Sequence, residues 1–232
     1  MASTKINPLT TIYKSPKRYI NHKFQNQISN SLNPKRNTTQ LPNNLYSVSF
    51  KTIGAGKLGI STYPDFQYSP EGGSGAGTAQ KTDKNRASSS ELSVSFNVAT
   101  LYIPSLTNQT TKFLGFPLPP FLKIDISPEI FQGTIDPESG KVELDFTAKF
   151  YFTAGGGIYR APALVVKTVL TTEESKGERK IGRGERMDGE GKCRLVGVAK
   201  VETVDDLFMN TFLSLPAECL ADLQAVISVS DY

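Results

Sequence analysis

Apolar and polar residues alternate with a period of two over much of this chain. Between Lys141 and Thr153 one set is Val142, Leu144, Phe146, Ala148, Phe150 and Phe152. The intervening set is Lys141, Glu143, Asp145, Thr147, Lys149, Tyr151 and Thr153. Side chains that switch face at every residue mark an extended strand with one buried face. A run of this length spans about 40 Å, which is usual in curved barrels and uncommon in short sandwiches. Glu91–Val98 repeats the pattern with Leu92, Val94, Phe96 and Val98. Shorter runs predict strands at Ser47–Ile53, Leu58–Thr62, Thr100–Ile103, Phe121–Ile126, Ile130–Gly133, Ala163–Thr172, Cys193–Thr203 and Ala225–Ser230. Asp136-Pro-Glu-Ser-Gly140 reads as a hairpin turn, because Pro presets φ and Gly supplies the left-handed position.

Helical periodicity is scarce. Asp205–Leu213 predicts one short helix, with Asp205 and Asp206 near its N-terminus. Pro216–Leu223 predicts another, with Pro216 in the first turn. Two segments read as loops. Ser69–Ser90 carries Gly72-Gly-Ser-Gly-Ala-Gly77 and a polar run, the composition of a mobile linker. Glu173–Lys192 mixes acids, bases and glycines and reads as a solvated hairpin extension. The expected fold is mainly β: a single antiparallel barrel or strongly curved sheet of about eight to ten strands, with one or two short C-terminal helices. A β-sandwich is the alternative.

Charge divides the chain unevenly. Lys5, Lys14, Lys17, Arg18, Lys23, Lys35 and Arg36 fall within residues 1–50, where there is no Asp or Glu. Subtracting these seven from the net charge of +4 leaves −3 for the remainder. The basic pI therefore belongs to the leader, and no nucleic-acid partner is expected for the domain. An acid-free, Ser/Thr-rich, basic start is the composition of an organellar transit peptide. The Met-Ala-Ser opening and low Arg content favour the plastid; a basic disordered arm that binds nucleic acid or an anionic surface is the competing reading. Residues 1–48 are thus expected to be a disordered transit peptide, and 49–232 a β-rich globular domain. No segment approaches the roughly 18 apolar residues of a spanning helix. The expected address is the chloroplast stroma, or the stromal side of the thylakoid or inner envelope.

The candidate chemistry is narrowed chiefly by what is missing. The sole histidine, His22, lies in the leader. Histidine-based triads and zinc sites are therefore not expected in the domain; no catalytic residue, metal ion or cofactor is singled out, and an acid/base site would have to use carboxylates, Tyr, Lys or Arg. Gly54-Ala-Gly56-Lys-Leu-Gly59 has dinucleotide-fingerprint spacing, but Ile60-Ser-Thr-Tyr-Pro64 follows in place of a helix. A bulge or tight turn fits better. Cys193 and Cys219 read as core or partly exposed thiols, with a regulatory disulfide as the minor alternative. Lys123 and Asp125 read as surface charges unless their face lines a cavity. Phe113-Leu-Gly-Phe-Pro-Leu-Pro-Pro-Phe-Leu122 is free of charge and broken by Pro-Pro. It must plug the core, line a ligand entrance or contact a bilayer or protein complex. Phe113, Phe116, Leu118 and Phe121 of this lip, Phe150 and Phe152 of the long strand, and Tyr159-Arg160 after Gly155–Gly157 are the candidate ligand-binding residues.

Lys57–Phe66, Tyr102–Lys123 and the Phe131–Thr147 hairpin resemble a plant plastid protein family of unassigned function, which implies no activity. Gly133–Phe146 is similar in style to the YceI-like, lipocalin-shaped polyisoprenoid-binding proteins, and that resemblance implies barrel architecture. The leading functional expectation is a soluble, non-catalytic plastid β-barrel that binds a lipid, prenyl compound or pigment. The alternatives are an assembly or scaffold factor for a plastid membrane complex and a His-free barrel cyclase or isomerase.

Overall fold

The computed structural model describes residues 45–60, 62–82 and 90–231. The expected transit peptide lies outside them except for residues 45–48, which open the first strand. The polar centre of the expected Ser69–Ser90 loop lies outside them too.

The elements in chain order are β1 Leu45–Ile60, β2 Phe66–Tyr68, β3 Ser74–Lys81, β4 Leu92–Phe96, β5 Thr111–Phe113, β6 Phe116–Pro117, β7 Leu122–Asp136 and β8 Lys141–Ala154. After a tight glycine turn at Gly155–Gly157 come β9 Tyr159–Arg160, β10 Leu164–Thr171, β11 Glu174–Lys176, β12 Ile181–Arg183, β13 Lys192–Val201, α1 Leu207–Leu213 and β14 Ala217–Asp231. The fold is mainly β, as expected. Eight antiparallel strands follow the order β14-β13-β10-β8-β7-β4-β3-β1, and β1 then pairs with β14 to close a ring. That last pairing runs from Tyr46↔Asp231 to Ile60↔Cys219. β2, β5 and β6 extend from β1 at one end, β9 pairs with β8, and β11–β12 form a separate two-stranded ribbon.

The alternating sets select the two faces. Val142, Leu144, Ala148 and Phe152 of β8 are buried, and the intervening polar residues reach the outside. β7 matches β8 from Leu122↔Ala154 to Asp136↔Lys141, with an irregularity between Pro128 and Ile130. The two short strands expected at Phe121–Ile126 and Ile130–Gly133 are therefore one, bent where Pro128 has no N–H to give. The turn forms as expected: Ser139 Oγ donates to Asp136 Oδ2 at 2.6 Å and Gly140 has φ +71°. The Ser139 and Ser90 hydroxyls on Asp136 hold its carboxyl down at about 2.

Three phenylalanines meet inside the ring. Phe131 lies 5.1 Å from Phe50 and 4.6 Å from Phe96, centroid to centroid. Such pairs add about 0.5–1.5 kcal/mol each beyond their buried area. Two glycines lie in the strands that carry this cluster or pair with them. Gly77 sits opposite both Val48 and Phe96, and Gly133 sits opposite both Val94 and Leu144. A Cβ on Gly133 would lie 2.0 Å from the Glu143 carbonyl oxygen, and one on Gly77 2.1 Å from that of Ser95. The backbones approach closely there, and glycine permits it.

Four expectations are corrected. The glycine-rich run from Ser74 is strand β3, paired with β1 on one side and β4 on the other. Its glycines admit close neighbours, Leu101 at Gly75 and the Ser95 backbone at Gly77. Pro216–Leu223 is no helix, because β14 takes Ala217–Asp231 and pairs on both edges. The alternation there was blurred by Leu220, which points outward yet is covered by the ribbon at Gly182. Thr100–Ile103 forms only an isolated bridge from Tyr102 to Ser74. A disulfide is excluded by register: Cys193 faces Ala225, while Cys219 faces Ala199. Six positions of strand separate the cysteines by about 20 Å, against the roughly 7 Å limit for a bridge. Burial pushes the thiols up to about 12 and about 11. The Gly54–Gly59 fingerprint lies within β1 at a register shift between Ile53 and Lys57, with Gly54 at φ +61°.

Replacing Gly133 by Ala should destabilise the domain by about 2–3 kcal/mol, as over-packing at a backbone contact does. Chemical denaturation of the two proteins measures this, and a difference below about 0.5 kcal/mol would contradict the packing described here.

Candidate functional site

One end of the ring carries an apolar rim. There β1, β8 and β13 finish and β7, β10 and β14 begin, as the pairs Ile60↔Cys219, Leu122↔Ala154, Leu164↔Phe150 and Val201↔Ala217 show. Three projections leave this end: the β5–β6 hairpin with Pro119–Phe121, the Gly155–Ile158 turn, and α1.

The β5–β6 hairpin turns on Leu114 and Gly115, with φ of +52° and +85°. Positive φ at both central residues defines the turn that favours Asn-Gly, since other side chains clash there. A leucine in this position costs about 1 kcal/mol, and here its side chain faces solvent. The Pro-rich lip thus contains strand in the form of a two-residue hairpin; β6 is an edge, where Pro117 loses no ladder bond. The Gly155–Ile158 turn has three successive glycines at positive φ and presents Ile158, 93% exposed, at its apex. Gly155 N donates to Phe121 O at 3.0 Å, tying this turn to the lip.

Helix α1 starts where Asp206 Oδ1 accepts from Met209 N at 2.8 Å, a regular N-cap. Asn210 fixes its entry by bonding Val204 N and Val204 O at 2.9 and 2.7 Å. Met209 and Leu213 are buried, while Leu207, Phe208 and Phe212 face outward, Leu207 being 84% exposed. The helix is apolar nearly all round with only one side covered.

Aromatic rings link the projections. Phe66 stacks on Phe113 at 4.6 Å, Phe113 meets Tyr63 at 6.3 Å, and Tyr63 meets Phe212 at 6.0 Å. Phe212 stacks on Phe208 at 5.5 Å, and Phe208 meets Tyr159 at 5.4 Å. Tyr63 OH donates to Phe212 O at 2.6 Å and Tyr159 OH to Asp206 Oδ2 at 2.9 Å. Burial and the Asp206 carboxylate push the Tyr159 phenol up to about 12.

The expected ligand-binding residues divide between this rim and the core. Phe116, 75% exposed, and Phe121 are rim tips, and Phe113 is half-buried in the aromatic chain. Tyr159 and Arg160 form β9, paired with the end of β8. Leu118 is buried with Tyr68 and Leu106. Phe152 is buried with Met209 and Leu213, and Phe150 packs beside it. These last three fill the base of the rim. Lys123 and Asp125 pair at 2.8 Å on the outer surface. Arg160 and Lys112 are exposed and have no carboxylate partner among the described residues. Leu114 was singled out only as part of the lip, and Ile158, Leu207, Phe208 and Phe212 were missed by sequence reasoning. The surplus of apolar residues in Leu207-Phe-Met-Asn-Thr-Phe-Leu213, more than one helical face can bury, was the available signal.

Among the described residues, no group of three or more His, Cys, Asp and Glu is placed to hold a metal ion, and no helix is long and apolar enough to cross a membrane. Asp206→Ala removes the cap and the Tyr159 acceptor together and should destabilise the domain by about 1–2 kcal/mol. Spectrophotometric titration of Asp206→Asn should show one tyrosine moving down from about 12; an unchanged titration would contradict the contact. Compared with protein-family models, curated proteins and solved structures, the chain matches none.

Proposed function

We propose that this chain is a non-catalytic plastid protein that binds lipid, and that it does so by seating its apolar rim against a membrane surface. The observation that carries the reading is the gathering of Leu114, Phe116, Phe121, Ile158, Leu207 and Phe208 on three separate projections at one end of the ring, all exposed. A patch of this kind on a folded domain marks a contact surface. Partial burial of each side chain contributes about 1 kcal/mol, enough together for reversible attachment comparable to that of a single acyl chain. The strained Leu114 supports the same reading: Asn would suit the turn better, and leucine adds only apolar surface. Beneath the tips, Phe152, Met209 and Leu213 occupy the space an enclosed ligand would need. That favours lipid at the rim over lipid inside the ring. The plastid address rests on the acid-free basic leader.

Flotation of the full-length chain with galactolipid vesicles containing phosphatidylglycerol tests this. Wild type should rise with the vesicles, while L114N/F116S should stay below with its thermal stability intact. If neither protein floats, or both float alike, the reading fails. Should wild type fail to float yet migrate with a large membrane complex through the same residues, the rim serves an assembly factor.

A further inference from the structure

We propose that the β11–β12 ribbon is a strap across the most thinly paired seam of the ring, and that the Glu218 carboxylate is its latch. The seam lies between β10 and β13, for which Thr171↔Val196 is the sole register pair among the described residues. The opposite edge of β13 pairs with β14 along its whole length, from Lys192↔Val226 to Val201↔Ala217. A strand edge left without its ladder must satisfy its backbone groups elsewhere. At Val198 both are met by side chains: Thr168 Oγ1 of β10 donates to the carbonyl at 2.8 Å, and the N–H donates to Ser175 Oγ of β11 at 2.9 Å. Part of the seam is therefore stitched by the ribbon itself.

The ribbon also covers apolar surface outside the ring. Val196 points outward by strand alternation, yet it is fully buried. Gly182 of β12 lies over it and over Leu220, close enough that a Cβ there would come within 3.1 Å of Val196 Cβ and 2.8 Å of Leu220 Cδ1. The root of the ribbon is held by backbone bonds, Gly184 N to Glu173 O at 2.7 Å and Glu185 with Arg194 in both directions at 3.0 Å. Its tip is held differently. Three successive amides, of Glu178, Arg179 and Lys180, donate to the Glu218 carboxylate at 2.6, 2.8 and 2.9 Å. Convergent N–H groups of one turn form an anion nest, and here the anion comes from β14. The charged groups facing Glu218 are Glu178, Arg179 and Lys180 from the turn, Lys200 beside it on β13, and Asp65, which Lys180 Nζ approaches at 3.6 Å. The backbone amides of Glu178 and Arg179 hold the Glu218 carboxyl below the usual carboxylate range. A depressed carboxylate keeps its contribution above its ordinary value and loses it as pH falls through the lowered one. Releasing one side chain thus frees the strap tip while the ring's long pairings persist.

Hydrogen exchange read by mass spectrometry on the full-length chain tests this. In Glu218→Ala, amides 176–183 and the Val198 amide should exchange roughly tenfold faster, while β1 and the β1-facing edge of β14 keep wild-type rates. Wild type should show the same local change as pH is lowered, after correction for intrinsic exchange. Unchanged ribbon exchange in both experiments would overturn the proposal. So would faster exchange throughout β1 and β14, which would make Glu218 part of the ring's general stability.

Discussion

The pairing of the first strand with the last holds the rest of the structure in place. β1 and β14 run together from Tyr46↔Asp231 to Ile60↔Cys219, and this turns a curved sheet into a closed ring. Closure gives each of the eight strands a neighbour on both sides, which limits the edge on which another chain could template. It gives every strand an inside and an outside, so the period-two pattern becomes a division between packed core and solvent. The cost is a contact between segments nearly the whole domain apart, which must be made before the core is complete.

Closure at this radius explains the inner surface. Phe50, Phe96 and Phe131 pack against one another across the ring, and Gly77 and Gly133 let the adjoining backbones approach closely. It also explains where irregularity appears. At one end β3 and β4 are short, and β2, β5 and the Leu106–Ile124 bridge fill in for them around Tyr68, Leu106 and Leu118. On the far side β10 and β13 share a single register pair among the described residues, and the ribbon makes good part of the deficit. The rim thus stands on an end of the ring patched with short elements, and α1 closes that end with Met209 and Leu213. The surplus apolar residues of those same elements, Leu207 and Phe208 on the helix and Leu114 and Phe116 on the hairpin, point away from the core.

What could be read from the sequence followed the strength of local patterning. β8 was plain because its inward positions are all apolar, most of them large, and its outward ones polar or Tyr151. The Asp136–Gly140 turn and α1 were legible because turn and cap chemistry is local. β3 was hidden because its inward positions are glycine and alanine, set by close approach of Leu101 and the β4 backbone and giving no apolar alternation. β14 was hidden because outward Leu220 is covered by a ribbon no local rule could place there. The lip was recognised as unusual for its composition, but its partners Ile158, Leu207 and Phe208 were not, since only closure of the ring brings the three projections together. Phe152 and Leu118 looked like ligand contacts for the opposite reason: an inward aromatic reads the same whether it lines a space or fills it.

The central claim is that the rim is the surface that meets lipid. A polarity-sensitive fluorophore attached to full-length F116C tests it most directly, with S139C at the opposite end of the ring as control, since both native thiols are buried or half-buried on inner faces. On addition of galactolipid vesicles the label at position 116 should shift to the blue and become shielded from aqueous quencher, while the label at 139 stays unchanged. No shift at 116, or an equal shift at both positions, would contradict the account.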